Sequence, residues 1–98
     1  MEKFVMKLSD STVYRESGTL EELASTLKTC PIACVKFHLR HGLNDFAEWT
    51  GKALKRPDVA LKLRQVKLSE VNPEETRRLL VEALAAPKPA EVVKKKRF

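Results

Sequence analysis

Residues 32–39 read Ile-Ala-Cys-Val-Lys-Phe-His-Leu and form the most apolar stretch of the chain. The segment contains the β-branched residues Ile32 and Val35, which favour extended backbone. It also follows a predicted helix, a position that is typical of an inner strand with apolar residues on both faces. We therefore predict that residues 32–39 form an inner β-strand.

Two further strands are predicted before this segment. Phe4, Met6 and Leu8 alternate with Lys3, Val5 and Lys7, which is typical of a half-buried strand. Residues 9–11 are Ser-Asp-Ser, whose short polar side chains favour a turn. The β-prone residues 12–16 follow the turn, so the two segments are predicted to pair as a hairpin.

Four helices are predicted from their start signals. Thr19 and Asn44 are suited to cap the first two, because their side chains can accept hydrogen bonds from free backbone N–H groups. Pro57 is suited to be the first residue of the third helix. Asn72, followed by proline, marks the start of the fourth.

The predicted fold is an α+β domain over residues 1–86. A small sheet of three strands is covered by four helices, in the order β-β-α-β-α-α-α. A length of 98 residues suits one such domain. Residues 87–98 are predicted to form a mobile, basic C-terminal tail, because Pro87 and Pro89 stop the last helix.

The positive charge of the chain is concentrated near its C-terminus. The formal net charge is +6. Residues 1–86 hold 14 Lys and Arg against 12 Asp and Glu, whereas residues 87–98 hold five Lys and Arg against one Glu. This pattern favours a tail that contacts an anionic partner over a folded domain with a broad basic face.

The sequence also indicates a compartment. No apolar run approaches the ~20 residues of a membrane span, and the first eight residues do not resemble a signal peptide. Two cysteines without an export signal are typical of reduced thiols. We expect a cytoplasmic protein without a membrane partner.

The composition is thermophile-like, because the chain has only three Asn and Gln residues among many charged ones.

Four potential zinc ligands fall within twelve residues: Cys30, Cys34, His38 and His41. On the predicted strand, Cys34 and His38 would lie about 13 Å apart, too far for one tetrahedral metal site. We therefore interpret the cysteines as buried structural residues and predict neither a metal nor another cofactor.

The loop after the predicted strand is a candidate anion-binding site. It contains His38, Arg40 and His41 and leads to the predicted helix start at Asn44. Backbone N–H groups at a helix start, together with a guanidinium and imidazoles, suit a phosphate or a carboxylate. The alternative is an ordinary polar connection with no ligand.

The tail is the second candidate site. A basic run that ends in an aromatic residue can bind phosphates and stack on a base. The alternative is a solubilising chain end. The residues predicted to contact RNA are Lys88, Lys94, Lys95, Lys96, Arg97 and Phe98.

No enzymatic function is predicted. The chain lacks a Gly-x-Ser-x-Gly elbow, a Walker-type loop and a Gly-x-Gly-x-x-Gly turn. The acidic pairs Glu21-Glu22 and Glu74-Glu75 fall in predicted first helical turns, where the helix dipole explains them.

Residues 4–54 resemble a short prokaryotic family, frequent in archaea, whose function is unknown. In that family a strand ending in an aromatic residue and His leads into an Asp-Phe-x-x-Trp helix. The matching features here are the strand 4–8, the helix start 19–23, the pair Phe37-His38, and the segment 44–49 with Asp45, Phe46 and Trp49. The resemblance implies a fold, and no activity or binding residue.

Two functional hypotheses follow. The first is a non-catalytic accessory protein that binds RNA, for example on a ribosome or another ribonucleoprotein particle, through the tail and the loop 38–42. The second is a protein–protein interaction or regulatory module, which the nearly balanced charge of residues 1–86 favours.

Overall fold

The computed structural model of the protein describes residues 2–85. These residues form two β-strands and five α-helices in the order β-β-α-α-α-α-α, with a 3₁₀ turn between the second and third helices. The elements are β1 (Phe4–Ser9), β2 (Thr12–Ser17), α1 (Leu20–Thr29), α2 (Ile32–Leu39), the 3₁₀ turn (Arg40–Gly42), α3 (Asp45–Lys52), α4 (Pro57–Arg64) and α5 (Pro73–Leu84).

The prediction of a third strand was wrong. Ile32–Leu39 is the helix α2, and the sheet in the described part of the chain consists of β1 and β2 alone. The buried residues of α2 are Cys34, Val35, His38 and Leu39, which recur at helical spacing, while Lys36 between them is exposed. The two β-branched residues, Ile32 and Val35, favour a strand locally, but the burial of the segment follows the helical period.

The two strands form an antiparallel hairpin, as predicted. Phe4 pairs with Ser17 and Ser9 pairs with Thr12, and the register shifts on either side of Lys7. Phe4 and Met6 point into the core and are buried. A two-stranded sheet is at best marginally stable alone, and here the helices cover its apolar face.

The predicted helix starts are confirmed. Thr19 accepts a hydrogen bond from the backbone N–H of Glu22, and Asn44 and Asn72 accept equivalent bonds at the starts of α3 and α5. Pro57 is the first residue of α4. These caps satisfy N–H groups that have no partner within their own helix.

One core connects the hairpin with all five helices. Helix α2 packs on β1 and on α5, α1 packs on β2 and α5, and α4 packs on α3 and α5. The largest side chains that are fully buried include Phe46, Met6, Leu23, Leu27, Leu63 and Leu80. The polar side chains inside are also satisfied: in residues 2–85, none of their buried nitrogen or oxygen atoms lacks a hydrogen-bond partner.

No helix within residues 2–85 has both the length and the apolar character needed to cross a bilayer.

Candidate functional site

His38 lies on the inner face of α2 and is 4% exposed. Its Nε2 accepts a hydrogen bond from the backbone N–H of Lys7 on β1, at 2.9 Å. Its Nδ1 lies 2.8 Å from Oδ2 of Asp45 on α3. Because the Lys7 amide can only donate, Nε2 must be unprotonated, so the neutral imidazole carries its proton on Nδ1 and donates it to Asp45.

The imidazole of His38 is therefore neutral and has no free nitrogen. Burial lowers the pKa of His38 by more than the hydrogen bond and the charge of Asp45 raise it. The rings of Phe4, Phe37 and Phe46 lie around it, with centroids 4.9–5.3 Å away. In this arrangement His38 joins β1, α2 and α3, and it offers no group to a bound anion.

The guanidinium of Arg40, just after α2, contacts Phe37 and Asp10. Its Cζ lies 3.9 Å from the centre of the Phe37 ring, and Nη1 donates to the carbonyl oxygen of Phe37 at 2.7 Å. Nη2 lies 3.7 Å from Oδ1 of Asp10 in the hairpin turn. The Arg40 side chain is nevertheless 38% exposed, so part of it faces solvent.

His41 follows in a left-handed backbone conformation, with φ 56° and ψ 32°. Gly42 also has a positive φ, of 77°. The chain closes this corner with a hydrogen bond of 2.9 Å from the N–H of Leu43 to the carbonyl oxygen of Arg40. The reversal leaves the side chain of His41 exposed beside Arg40.

The start of α3 is already occupied by side chains of the protein. Asn44 Oδ1 accepts from the N–H of Ala47 at 3.0 Å, and Asn44 Nδ2 donates to the carbonyl oxygen of Leu63 at 2.8 Å. The carboxylate of Asp45 lies in the first turn, next to His38. A carboxylate at this position supplies the negative charge that an external anion would bring.

A cleft of about 840 Å³ separates the corner 36–44 from the segment 64–70. We call it the basic cleft. It contains four Lys or Arg residues, one His and two Glu: Lys36, Arg40, His41, Arg64, Lys67, Glu48 and Glu70. Glu48 also lies 2.7 Å from Lys52 Nζ and 4.0 Å from Arg64, so part of its charge is compensated.

A second cleft, of about 600 Å³, lies on the other side of Arg40, between β1, α2 and α3. We call it the aromatic cleft, because Phe4, Phe37 and Trp49 line it together with Lys3, Lys7 and Lys52. His38 and Asp45 also lie along it. Arg40, Leu43 and Glu48 line both clefts, so the two meet at these residues.

The structure thus brings two of the three loop residues together. Arg40 and His41 line the basic cleft, while His38 faces β1 and α3. Lys36, Arg64 and Lys67 were not identified from the sequence. A charge count by segment would have indicated them, because residues 36–67 hold eight Lys and Arg against three Asp and Glu.

The two cysteines are free and buried beside α5. Arg77 Nη1 lies 3.9 Å from Cys30 Sγ and donates to the carbonyl oxygen of Leu27 at 2.5 Å. Burial raises the pKa of Cys30, and it raises the pKa of Cys34 to about 12. Both residues are therefore thiols at neutral pH and behave as small apolar side chains.

The distance argument against a metal site used strand geometry and was wrong, because Cys34 and His38 are one helical turn apart on α2. The structure separates the four residues in another way: the thiols lie beside Arg77, His38 is bonded on both nitrogens, and His41 is exposed. Among residues 2–85, no three His, Cys, Asp or Glu side chains are grouped to hold a metal ion.

The tail residues predicted to contact RNA all lie outside the described residues: Lys88, Lys94, Lys95, Lys96, Arg97 and Phe98.

Comparisons of the chain with protein-family models, with curated proteins and with solved structures find no match. The resemblance of residues 4–54 to a short prokaryotic family stays a prediction.

Proposed function

We propose that the protein is a non-catalytic, cytoplasmic accessory protein that binds RNA, with the basic cleft as the folded part of its binding surface and the tail 87–98 as an extension. The observation that supports this most is the basic cleft itself. Four cationic side chains converge there in a domain whose net charge is close to zero.

The charge of the folded region is segregated along the chain. Residues 2–35 hold four Lys and Arg against five Asp and Glu, and residues 68–85 hold two against four. Residues 36–67 carry a net charge of +5 between these acidic ends. A local excess of this size attracts polyanions even where the sum over the domain is small.

The side chains of the basic cleft suit phosphate better than a single carboxylate. Lys36, Arg64 and Lys67 are exposed, and they come from α2, the end of α4 and the linker that follows. Cations spread along a cleft can each neutralise a different phosphate of one strand. The five Lys and Arg residues of the tail would extend the same interaction beyond the domain.

The test is fluorescence anisotropy of a short labelled single-stranded RNA with the full-length protein at increasing salt. R64Q/K67Q removes two cationic side chains from the cleft, and R15Q/K28Q removes the same two residue types from exposed positions on β2 and α1. We expect R64Q/K67Q to weaken binding and R15Q/K28Q to leave it nearly unchanged.

The salt dependence gives a second readout. Each phosphate contact on a single strand contributes about 0.7 to the slope of log affinity against log salt, so R64Q/K67Q should reduce the slope by about 1.4. Changing Lys94, Lys95, Lys96 and Arg97 to Gln in the full chain measures how much the tail contributes to the affinity for RNA. Absence of binding, or binding that does not respond to salt, would refute the proposal.

A protein–protein module is the second candidate, and one observation favours it. Leu61 on α4 is 61% exposed and lies next to Lys62 within the basic segment. An exposed leucine of this kind can serve as an apolar anchor for a partner. A specific partner that remains bound after nuclease treatment and is lost in Leu61→Lys would favour this function over RNA binding.

A further inference from the structure

Arg40 occupies the border between the two clefts and lines both of them. On one side lie the cations of the basic cleft, and on the other side lie the rings of the aromatic cleft, whose lysines are balanced by carboxylates. Among residues 2–85, Arg40 is the one cationic residue that lines both clefts, so a strand that extends from the basic cleft into the aromatic cleft can contact it.

The guanidinium of Arg40 is held in place before any ligand binds. Its Cζ lies over the Phe37 ring, 3.9 Å from the ring centroid, and the Phe37 carbonyl accepts from Nη1 at 2.7 Å. Asp10 lies 3.7 Å from Nη2 at its edge. These contacts reduce the side-chain entropy that an arginine otherwise loses when it binds a ligand.

A guanidinium supported on one face by a ring is a flat cationic surface. Such surfaces stack well on nucleobases, and a lysine ammonium offers no equivalent plane. A base inside a duplex is already stacked on both faces, so the site suits an unpaired base, whose faces are free. The cations of the basic cleft are then placed to contact the phosphates next to that base.

On the basis of the RNA-binding function proposed above, we propose that Arg40, supported by Phe37, is a stacking site for an unpaired base of single-stranded RNA. The ligand class is thus single-stranded RNA, with its phosphates in the basic cleft and one base on the Arg40 guanidinium. Arg40 contributes to RNA affinity through the flat face of its guanidinium as well as through its charge.

The test compares the full-length protein with R40K on two probes of equal length. One probe is a single-stranded oligouridylate, and the other is the same phosphate backbone without bases. R40K keeps the positive charge and removes the plane. Since base stacking contributes roughly tenfold in affinity, we expect the wild-type protein to prefer the oligouridylate roughly tenfold and R40K to bind both probes alike.

A blunt RNA duplex is the third probe, and R40K should bind it as tightly as the wild-type protein does. Equal binding of the wild-type protein to the oligouridylate and to the base-free strand would overturn the stacking site while leaving the RNA-binding function intact. This comparison needs no variant, so it holds even if R40K folds poorly. No binding of the wild-type protein to any of the three probes would refute the RNA-binding function itself.

Discussion

Nδ1 of His38 donates its proton to Oδ2 of Asp45 across 2.8 Å, which links the inner face of α2 to the first turn of α3. The opposite ring nitrogen accepts the backbone N–H of Lys7 on β1. One neutral imidazole therefore satisfies a strand amide and positions a helix-start carboxylate at the same time. The hairpin, α2 and α3 are joined there by directional bonds in addition to apolar packing.

His38→Leu should destabilise the fold. The substitution fills most of the space but leaves the Lys7 N–H without its acceptor in a partly buried place. A buried donor without a partner costs about 1–3 kcal/mol, so we expect the free energy of unfolding to fall by about 2 kcal/mol. Urea unfolding followed by circular dichroism measures it. His41→Asn is the control, because His41 is exposed and asparagine tolerates the left-handed backbone.

The stability should also depend on pH through His38. Burial lowers the pKa of His38 in the folded protein, so the unfolded chain binds a proton more readily. The free energy of unfolding should thus be constant above the unfolded pKa of about 6.5 and fall as the pH decreases below it. Urea midpoints at successive pH values across this range test the prediction. The same dependence should persist in His41→Asn and disappear in His38→Leu; its persistence in His38→Leu would assign it to another group.

Gly51→Ala should stabilise the protein. Gly51 lies in α3, and a methyl group added there would meet the methyl of Ala60 on α4 at 3.5 Å, an ordinary van der Waals distance. Glycine in a helix costs up to about 1 kcal/mol relative to alanine, so we expect a gain of about 0.5–1 kcal/mol. The melting temperature should rise accordingly.

Gly42→Ala is the matched substitution, and it should lower the stability of the protein. Gly42 has φ 77°, a conformation that costs a residue with a Cβ about 1–2 kcal/mol. Thermal unfolding should therefore show a lower melting temperature. A stabilised Gly42→Ala, or a destabilised Gly51→Ala, would contradict the backbone conformations of these two glycines.

The two thiols should react only when the protein unfolds. Cys30 and Cys34 are 2% and 0% exposed, and burial raises the pKa of Cys34 to about 12. Because the thiolate is the reactive form, a disulfide reagent such as DTNB should label native protein slowly and urea-unfolded protein fast. Rapid labelling of both cysteines in the native protein would show that the contact between α2 and α5 opens readily.

Local signals in the sequence were enough for the hairpin and for most helix starts. The Ser-Asp-Ser turn, the capping residues Thr19, Asn44 and Asn72, and Pro57 each act within a few residues of themselves. Their effect can therefore be predicted from the local sequence, without knowledge of the rest of the fold. The segment 32–39 lacked such a signal, because a short apolar run with two β-branched residues is compatible with a buried strand and with a buried helix.

The amino-acid sequence by itself determined the hairpin, four of the five helices, and a charge distribution concentrated in residues 36–67 and 87–98. The tertiary structure alone decided that 32–39 is a helix, because its buried face is defined by packing against β1 and α5. It also decided the roles of the loop residues. His38 forms hydrogen bonds with Lys7, which is 31 positions away in the sequence, and with Asp45, which is seven positions away. Lys36 shares a cleft with Arg64 and Lys67. Contacts over such separations depend on how whole elements pack, which no local pattern of residues encodes.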